Sequence, residues 1–259
     1  MSFYWSYWSK QWYKANVVDW LYTMKCPLIR MAFQNHQEDT DGVDMVGQIN
    51  GVDDNDYNKS VNIIRPVVER AIEKGMYVIL DYHDHYANKG NARTNAKEFF
   101  NKMSRTYGGN KNIIYETFNE PISVDGRNAG ATGYYDSQST YSKNYWNNVL
   151  KPYHIELIKI IRKHDPYNII IVGTGIYSQH VTTAALNPIT KGDLDGSSDT
   201  TLAYNVAYTF HFYPGIYSEG HTVSGLGGEA TGGKNSGLSV FATEWGQNYS
   251  SPPFSGWSD

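Results

Sequence analysis

Short, almost continuously apolar runs alternate along this chain with longer stretches whose apolar residues recur at helical spacing. The runs cover residues 2–5, 28–33, 77–82, 113–118, 169–172, 206–212 and 238–243, and several are rich in β-branched residues, as in Ile169-Ile170-Ile171-Val172. Strands that are buried on both faces have this composition, because neither face needs a polar row. The stretches between them predict helices over 17–24, 57–74, 92–107, 141–163 and 182–186. Val61, Ile64, Val68 and Ile72 form one apolar stripe at spacings of three and four. Asp56 is placed to cap that helix and Gly75 to stop it. Residues 125–140 and 190–203, rich in Gly, Ser, Asp and Thr, read as surface loops. The alternation of strand and helix is that of βα units around a parallel sheet.

The length of 259 residues suits one domain, residues 1–259, and an α/β barrel needs about 250. The expected fold class is therefore α/β, of (β/α)8 TIM-barrel type. Seven strands are recognisable, and only 15 residues follow Glu244. The expectation is a barrel incomplete at its C-terminus, because a further parallel strand needs a crossover of a dozen or more residues. Such a barrel would leave an open edge beside its first and last strands. A second copy of the chain, as a homodimer, is the expected cover, with the tail 247–259 and a separately supplied segment as the other candidates.

Composition narrows the function. A net charge of -4 without a basic run argues against nucleic acid. No segment approaches the roughly 20 apolar residues of a membrane span, and the start of the chain lacks the pattern of a secretory signal. The single Cys26 permits no internal disulfide. Aromatic residues reach 15%, with 22 Tyr and 7 Trp, which suits a neutral, hydroxyl-rich ligand with apolar ring faces once the core has taken its share.

Polar residues gather where the predicted strands end. Arg30 lies within the second, and His83 and His85 follow the third. Asn119-Glu120-Pro121 follows the fourth, His211 and Tyr213 close the sixth, and Glu244 ends the seventh. In parallel α/β folds that rim carries the active site. Two carboxylates there, Glu120 and Glu244, are what glycoside cleavage needs, one protonated to donate and one ionised to attack or to activate water. Glu116 has no comparable partner set in the sequence and reads as structural. Asp81, His83, Asp84 and His85 crowd together, but neighbours on a strand point to opposite faces, so no metal or other cofactor is expected.

Six motifs in order carry a resemblance: Ile29-Arg30-Met31-Ala32, Asp81-Tyr82-His83-Asp84-His85, Asn119-Glu120-Pro121, Gly173-Thr174-Gly175-Ile176-Tyr177-Ser178-Gln179, His211-Phe212-Tyr213 and Thr243-Glu244-Trp245-Gly246. The chain resembles the family five glycoside hydrolases, specifically the bacterial-type endoglucanases. The resemblance implies a retaining cellulase that cleaves internal β-1,4-glucosidic bonds of cellulose or cello-oligosaccharides, with Glu120 as acid/base and Glu244 as nucleophile. It further implies that Arg30 and Tyr213 steady Glu244 and that Asn119 holds a sugar 2-hydroxyl. His83 and His211 would complete the polar floor, and Trp8 and Tyr177 would stack on neighbouring glucose units. His85 is divided evenly between a structural and a functional reading. The substrate class implies a secreted protein. Two alternatives stay open, a β-mannanase or other β-1,4-glycanase of the same family, and a non-catalytic carbohydrate-binding remnant of the barrel.

Overall fold

The computed structural model describes residues 1–3, 6, 9–33, 54–122, 131–213 and 223–246, with 54–60, 91, 223, 224 and 226 by backbone only. Its centre is one parallel sheet of six strands in strict chain order: β1 (Leu28–Phe33), β2 (Tyr77–Tyr82), β3 (Ile113–Glu116), β4 (Ile170–Val172), β5 (Val206–Thr209) and β6 (Val240–Phe241). β1 and β2 match the apolar runs residue for residue, while the later strands are shorter than their runs. Residues beyond β3 leave its ladder because the Asn119 and Glu120 amides turn to the carbonyls of Tyr82 and Asp84, both at 3.3 Å. The expected first strand is reduced to a single parallel bridge from Ser2 to Arg30, flanked by hydrogen bonds from Arg30 N to Met1 O and from Phe3 N to Arg30 O. Tyr4 and Trp5 of that run lie outside the described residues, as do Trp8 and 247–259.

Helices separate the strands. α1 (Ala15–Thr23) precedes β1, α2 (Asp54–Glu73) lies between β1 and β2, and α3 (Gly90–Tyr107) between β2 and β3. α4 (Thr140–Tyr145) passes through one π turn, Trp146–Leu150, into α5 (Lys151–Arg162), so the single expected helix is a continuous run of three pieces. α2 begins before Asp56, which therefore sits inside the helix and does not cap it. Gly75 does end it, at a φ of 71° that an L side chain would resist. Helices alternating with parallel strands in chain order are the (β/α)8-barrel plan, here with six strands among the described residues.

Two departures from the sequence reading have physical causes. The loop expected over 190–203 contains a short helix, Lys191–Asp195, held by a reciprocal cap between Thr190 and Asp193. A helix over Val223–Asn235 was not expected, because its glycines hide any apolar stripe. Those glycines serve packing: a Cβ on Gly232 would lie 2.6 Å from Thr182 Cγ2, and one on Gly233 would collide with Val181.

The sheet separates two kinds of interior. Its outer face packs on the helices in one large apolar core that includes Met31, Leu80, Tyr115, Val172 and Tyr208. Its inner face carries a small apolar floor of Ile79, Ile114, Ile171 and Ala207, bordered by Leu28 and Phe241. Because strand side chains alternate, the same face two residues further along each strand presents Arg30, Asp81, Glu116, Thr209 and Thr243. All five are buried. An apolar floor thus lies below a polar layer, which faces the C-terminal rim. Between the first residues and the last strand a cleft of about 360 Å³ opens, lined by Met1, Ser2, Arg30, Phe241 and Glu244 among others.

Candidate active site

Arg30 is the hub. It is 2% exposed, and burying a guanidinium is tolerable only if its donors are met by opposite charge. Nε donates to Glu116 Oε2 (2.6 Å), Nη1 to Glu244 Oε2 (3.1 Å), and Nη2 reaches both Asp81 Oδ2 (2.9 Å) and Asn119 Oδ1 (2.7 Å). Burial works against this cation, but the surrounding carboxylates outweigh it and raise its pKa further above the ordinary arginine value. Arg30 therefore stays charged. Asn119 commits its carbonyl to Arg30, which leaves its NH2 group to donate to a ligand.

The two glutamates of the rim have different neighbours. Glu244 receives Arg30 on one oxygen and the Tyr213 hydroxyl on the other. Burial and the adjoining Glu244 carboxylate raise the Tyr213 pKa, so the phenol keeps its proton and donates it. Glu120 instead faces His211 Nδ1 at 2.9 Å and His85 Nε2 at 3.2 Å. Burial opposes its ionisation, but hydrogen bonds from these two histidines prevail and hold its pKa low. Oxygens of Glu120 and Glu244 come within 4.8 Å of each other, and a ring nitrogen of His211 lies within the same distance of both. That trio is the only metal-sized group of ligand atoms among the described residues. Its carboxylates already answer to Arg30, Tyr213 and His85, so it reads as a carboxylate pair with its own counter-charge.

The remaining predicted residues fall around this pair. His83 donates Nδ1–H to Asp81 Oδ2 at 2.6 Å, and burial, helped by Arg30, lowers its pKa to about 3, so the imidazole is neutral. Asp81 is pushed the other way, to about 7, by burial that the Arg30 charge only partly offsets. Tyr177 sits edge-on to His85, with ring centroids 6.4 Å apart. It belongs to a left-handed triplet, Ile176, Tyr177 and Ser178, with φ of 53°, 56° and 57°. Three consecutive non-glycine residues there are strained, above all β-branched Ile176, and the rim holds them in place. Tyr177 N donates to Pro121 O, Ser178 Oγ to Asn119 O, and His211 N to Ser178 O.

The structure thus brings Arg30, His83, Asn119, Glu120, Tyr177, His211, Tyr213 and Glu244 to one rim, with His85 beside Glu120. Four residues were missed as site members: Asp81, Glu116, Thr209 and Thr243. The available signal was a polar residue closing an otherwise apolar strand, as in Tyr77-Val-Ile-Leu-Asp81 and Ile113-Ile-Tyr-Glu116. Trp8 lies outside the described residues.

Residues 1–256 match the family described as Cellulase (glycosyl hydrolase family 5). Endoglucanase Z of Dickeya dadantii is 37% identical over 183 residues, which is 71% of this chain and 34% of that protein. Endoglucanase A of Evansella cellulosilytica is likewise 37% identical, over 71% of this chain and 30% of its own length. The chain thus spans about a third of the curated relatives that it matches. Among solved structures, one from Cytophaga hutchinsonii superposes with a TM-score of 0.71 at 35% identity, covering 95% of this chain and 64% of that one.

Proposed function

The chain belongs to glycosyl hydrolase family 5, and from that premise we propose that it is a retaining endo-β-1,4-glucanase acting on cellulose-type glucans. The observation that carries the reading is the close pair of carboxylates in unlike surroundings. Their oxygens approach within 4.8 Å, on the side of the roughly 5–5.5 Å spacing used for direct attack and well short of the roughly 6.5–9.5 Å that an inverting pair needs for an intervening water.

In this reading Glu244, paired with Arg30 and oriented by Tyr213, attacks the anomeric carbon. Glu120, protonated when substrate is engaged, gives its proton to the departing glycosidic oxygen as the glycosyl–Glu244 ester forms. Glu120, now a carboxylate, takes a proton from water, and that water cleaves the ester with net retention. The Asn119 NH2 group is placed to hold the 2-hydroxyl, neutral His83 and His211 line the floor, and Trp8 and Tyr177 are assigned to stacking on adjoining glucose units. A polymeric glucan does not enter a cell, so the protein acts outside it.

Two measurements test this. Reducing ends should appear from soluble carboxymethyl cellulose, and faster than from a β-mannan. Offered to Glu244→Ala and Glu120→Ala, azide should give a product of inverted configuration, an α-glycosyl azide, only with Glu244→Ala. The same product from Glu120→Ala alone would exchange the two roles, and no hydrolysis of either glycan by the wild type would overturn the reading.

A further inference from the structure

Glu120 poses a problem that its immediate neighbours do not solve. With His85 and His211 both donating, it rests as a carboxylate, yet the proposed reaction needs it protonated. The proton has a buried source. His211 touches Glu120 Oε1 through Nδ1 at 2.9 Å, and its other nitrogen, Nε2, lies 2.8 Å from Thr243 Oγ1. Thr243 Oγ1 lies 2.6 Å from Glu116 Oε1. His211 and Glu116 are fully buried and Thr243 nearly so. Every link is within hydrogen-bond distance, and all but the last, at partly exposed Glu120, are shielded from solvent.

We propose that Glu116 is the proton reservoir of Glu120, linked to it by a relay through Thr243 and His211. This rests on the acid/base role of Glu120 proposed above. Counting donors gives two arrangements that satisfy every atom. In the first, Glu116 is protonated and donates to Thr243, Thr243 donates to His211 Nε2, and His211 Nδ1–H donates to the Glu120 carboxylate. In the second, each proton has moved one place: Glu116 Oε1–H to Thr243, Thr243 O–H to His211 Nε2, and His211 Nδ1–H to Glu120. Glu116 is then the carboxylate and Glu120 the acid: one unit of negative charge has passed from Glu120 to Glu116, and the total charge of the site is unchanged. The Thr209 hydroxyl, 2.6 Å from Thr243 Oγ1, donates to it in both arrangements.

The charges facing Glu116 suit this use. β1 supplies Arg30 on Oε2 and β2 supplies Asp81, while beyond β5 and β6 lie His211 and Glu244; β4 places apolar Ile171 beside it. Burial raises the Glu116 pKa despite Arg30, whereas that of Glu120 is held low, so the proton rests at the Glu116 end. Developing charge on the glycosidic oxygen draws it to Glu120, and the water-splitting step returns it. Coupled groups titrate as a pair, so the basic limb of kcat/KM reports the shared proton rather than Glu120 alone.

Thr243→Val keeps the shape and removes the hydroxyl, while Thr243→Ser restores it. On carboxymethyl cellulose, Thr243→Val should lose about tenfold or more in kcat/KM at neutral pH and shift the basic limb down by about one unit, with Thr243→Ser recovering both. On 2,4-dinitrophenyl β-cellobioside, whose leaving group needs no proton, kcat/KM should change by less than about twofold. Glu116→Gln should move the limb in the same direction. A Thr243→Val enzyme with the wild-type pH profile would overturn the relay alone, as would equal losses on both substrates without a limb shift. Should the variants not fold, the wild type still decides: kcat/KM in mixed H2O and D2O should give a curved proton inventory, and a linear one would overturn the relay. A wild type inactive on both substrates would overturn the glycanase reading and the relay with it.

Discussion

The two rim glutamates differ in what they lean on. Glu244 is gripped by Arg30 and Tyr213, a cation that never titrates near neutrality and a phenol that burial keeps protonated. Glu120 leans on His85 and His211, whose rings can each donate or accept. A nucleophile needs a charge that stays; an acid/base needs a proton that leaves and returns. The contrast between fixed and exchangeable partners therefore supports the roles proposed for two chemically identical side chains, and separate substitutions can break each half of it.

The largest effect is expected at the carboxylates themselves. Glu120→Gln and Glu244→Gln should each lower turnover of carboxymethyl cellulose by about a thousandfold or more, with circular dichroism unchanged, since both roles are lost with the charge. Near-normal turnover in either would remove that glutamate from the mechanism. Next comes Arg30→Met, which leaves the Glu244 carboxylate without its cation and the buried carboxyl oxygens of Asp81 and Glu116 without a donor. Urea unfolding should show a loss of about 3–5 kcal/mol, the usual consequence of breaking a buried ion pair from one side.

Smaller effects separate the two surroundings. Tyr213→Phe removes one donor from Glu244 and should cost about tenfold in kcat with little movement of the pH profile. His85→Ala removes a donor that stabilises the Glu120 carboxylate and should cost less, while moving the basic limb of the kcat/KM profile upward. If Tyr213→Phe moved the profile and His85→Ala did not, the comparison would be reversed. The smallest effect is on stability. Asp81 is raised from 3.8 to about 7 in the folded protein, so between those values the native state binds the extra proton. Stability should fall as pH rises through that window, and Asp81→Asn should flatten the slope in chemical denaturation curves.

The sequence carried the strands and most of the rim because both depend on local pattern, an apolar run followed by a polar residue. What it hid depends on distance or on backbone. Glu116 looked structural because its partners lie far away along the chain, Arg30 by 86 positions and Thr243 by 127. No residue type announces the left-handed triplet at 176–178, since neither Ile nor Tyr favours positive φ; only the carbonyls of Asn119 and Pro121 explain it. The helix over Val223–Asn235 was obscured by the glycines that let it approach Val181 and Thr182. Asp56 shows the ordinary uncertainty of helix starts.

The strict chain order of the sheet has a consequence for how activity is acquired. Each strand pairs with the one made just before it, so the array can grow in the direction of synthesis with only the intervening crossover to close at each step. The Arg30–Glu244 contact is different, because it joins residues 214 positions apart. At roughly 5–20 residues per second, a ribosome needs on the order of ten seconds or more to supply the second partner after the first. Until then the guanidinium can donate to the carboxyl oxygens of Asp81 and Glu116, both made earlier. The contact that would steady the proposed nucleophile is then the last to form: a nascent chain would gain its sheet strand by strand, and the Arg30–Glu244 pair in one final step.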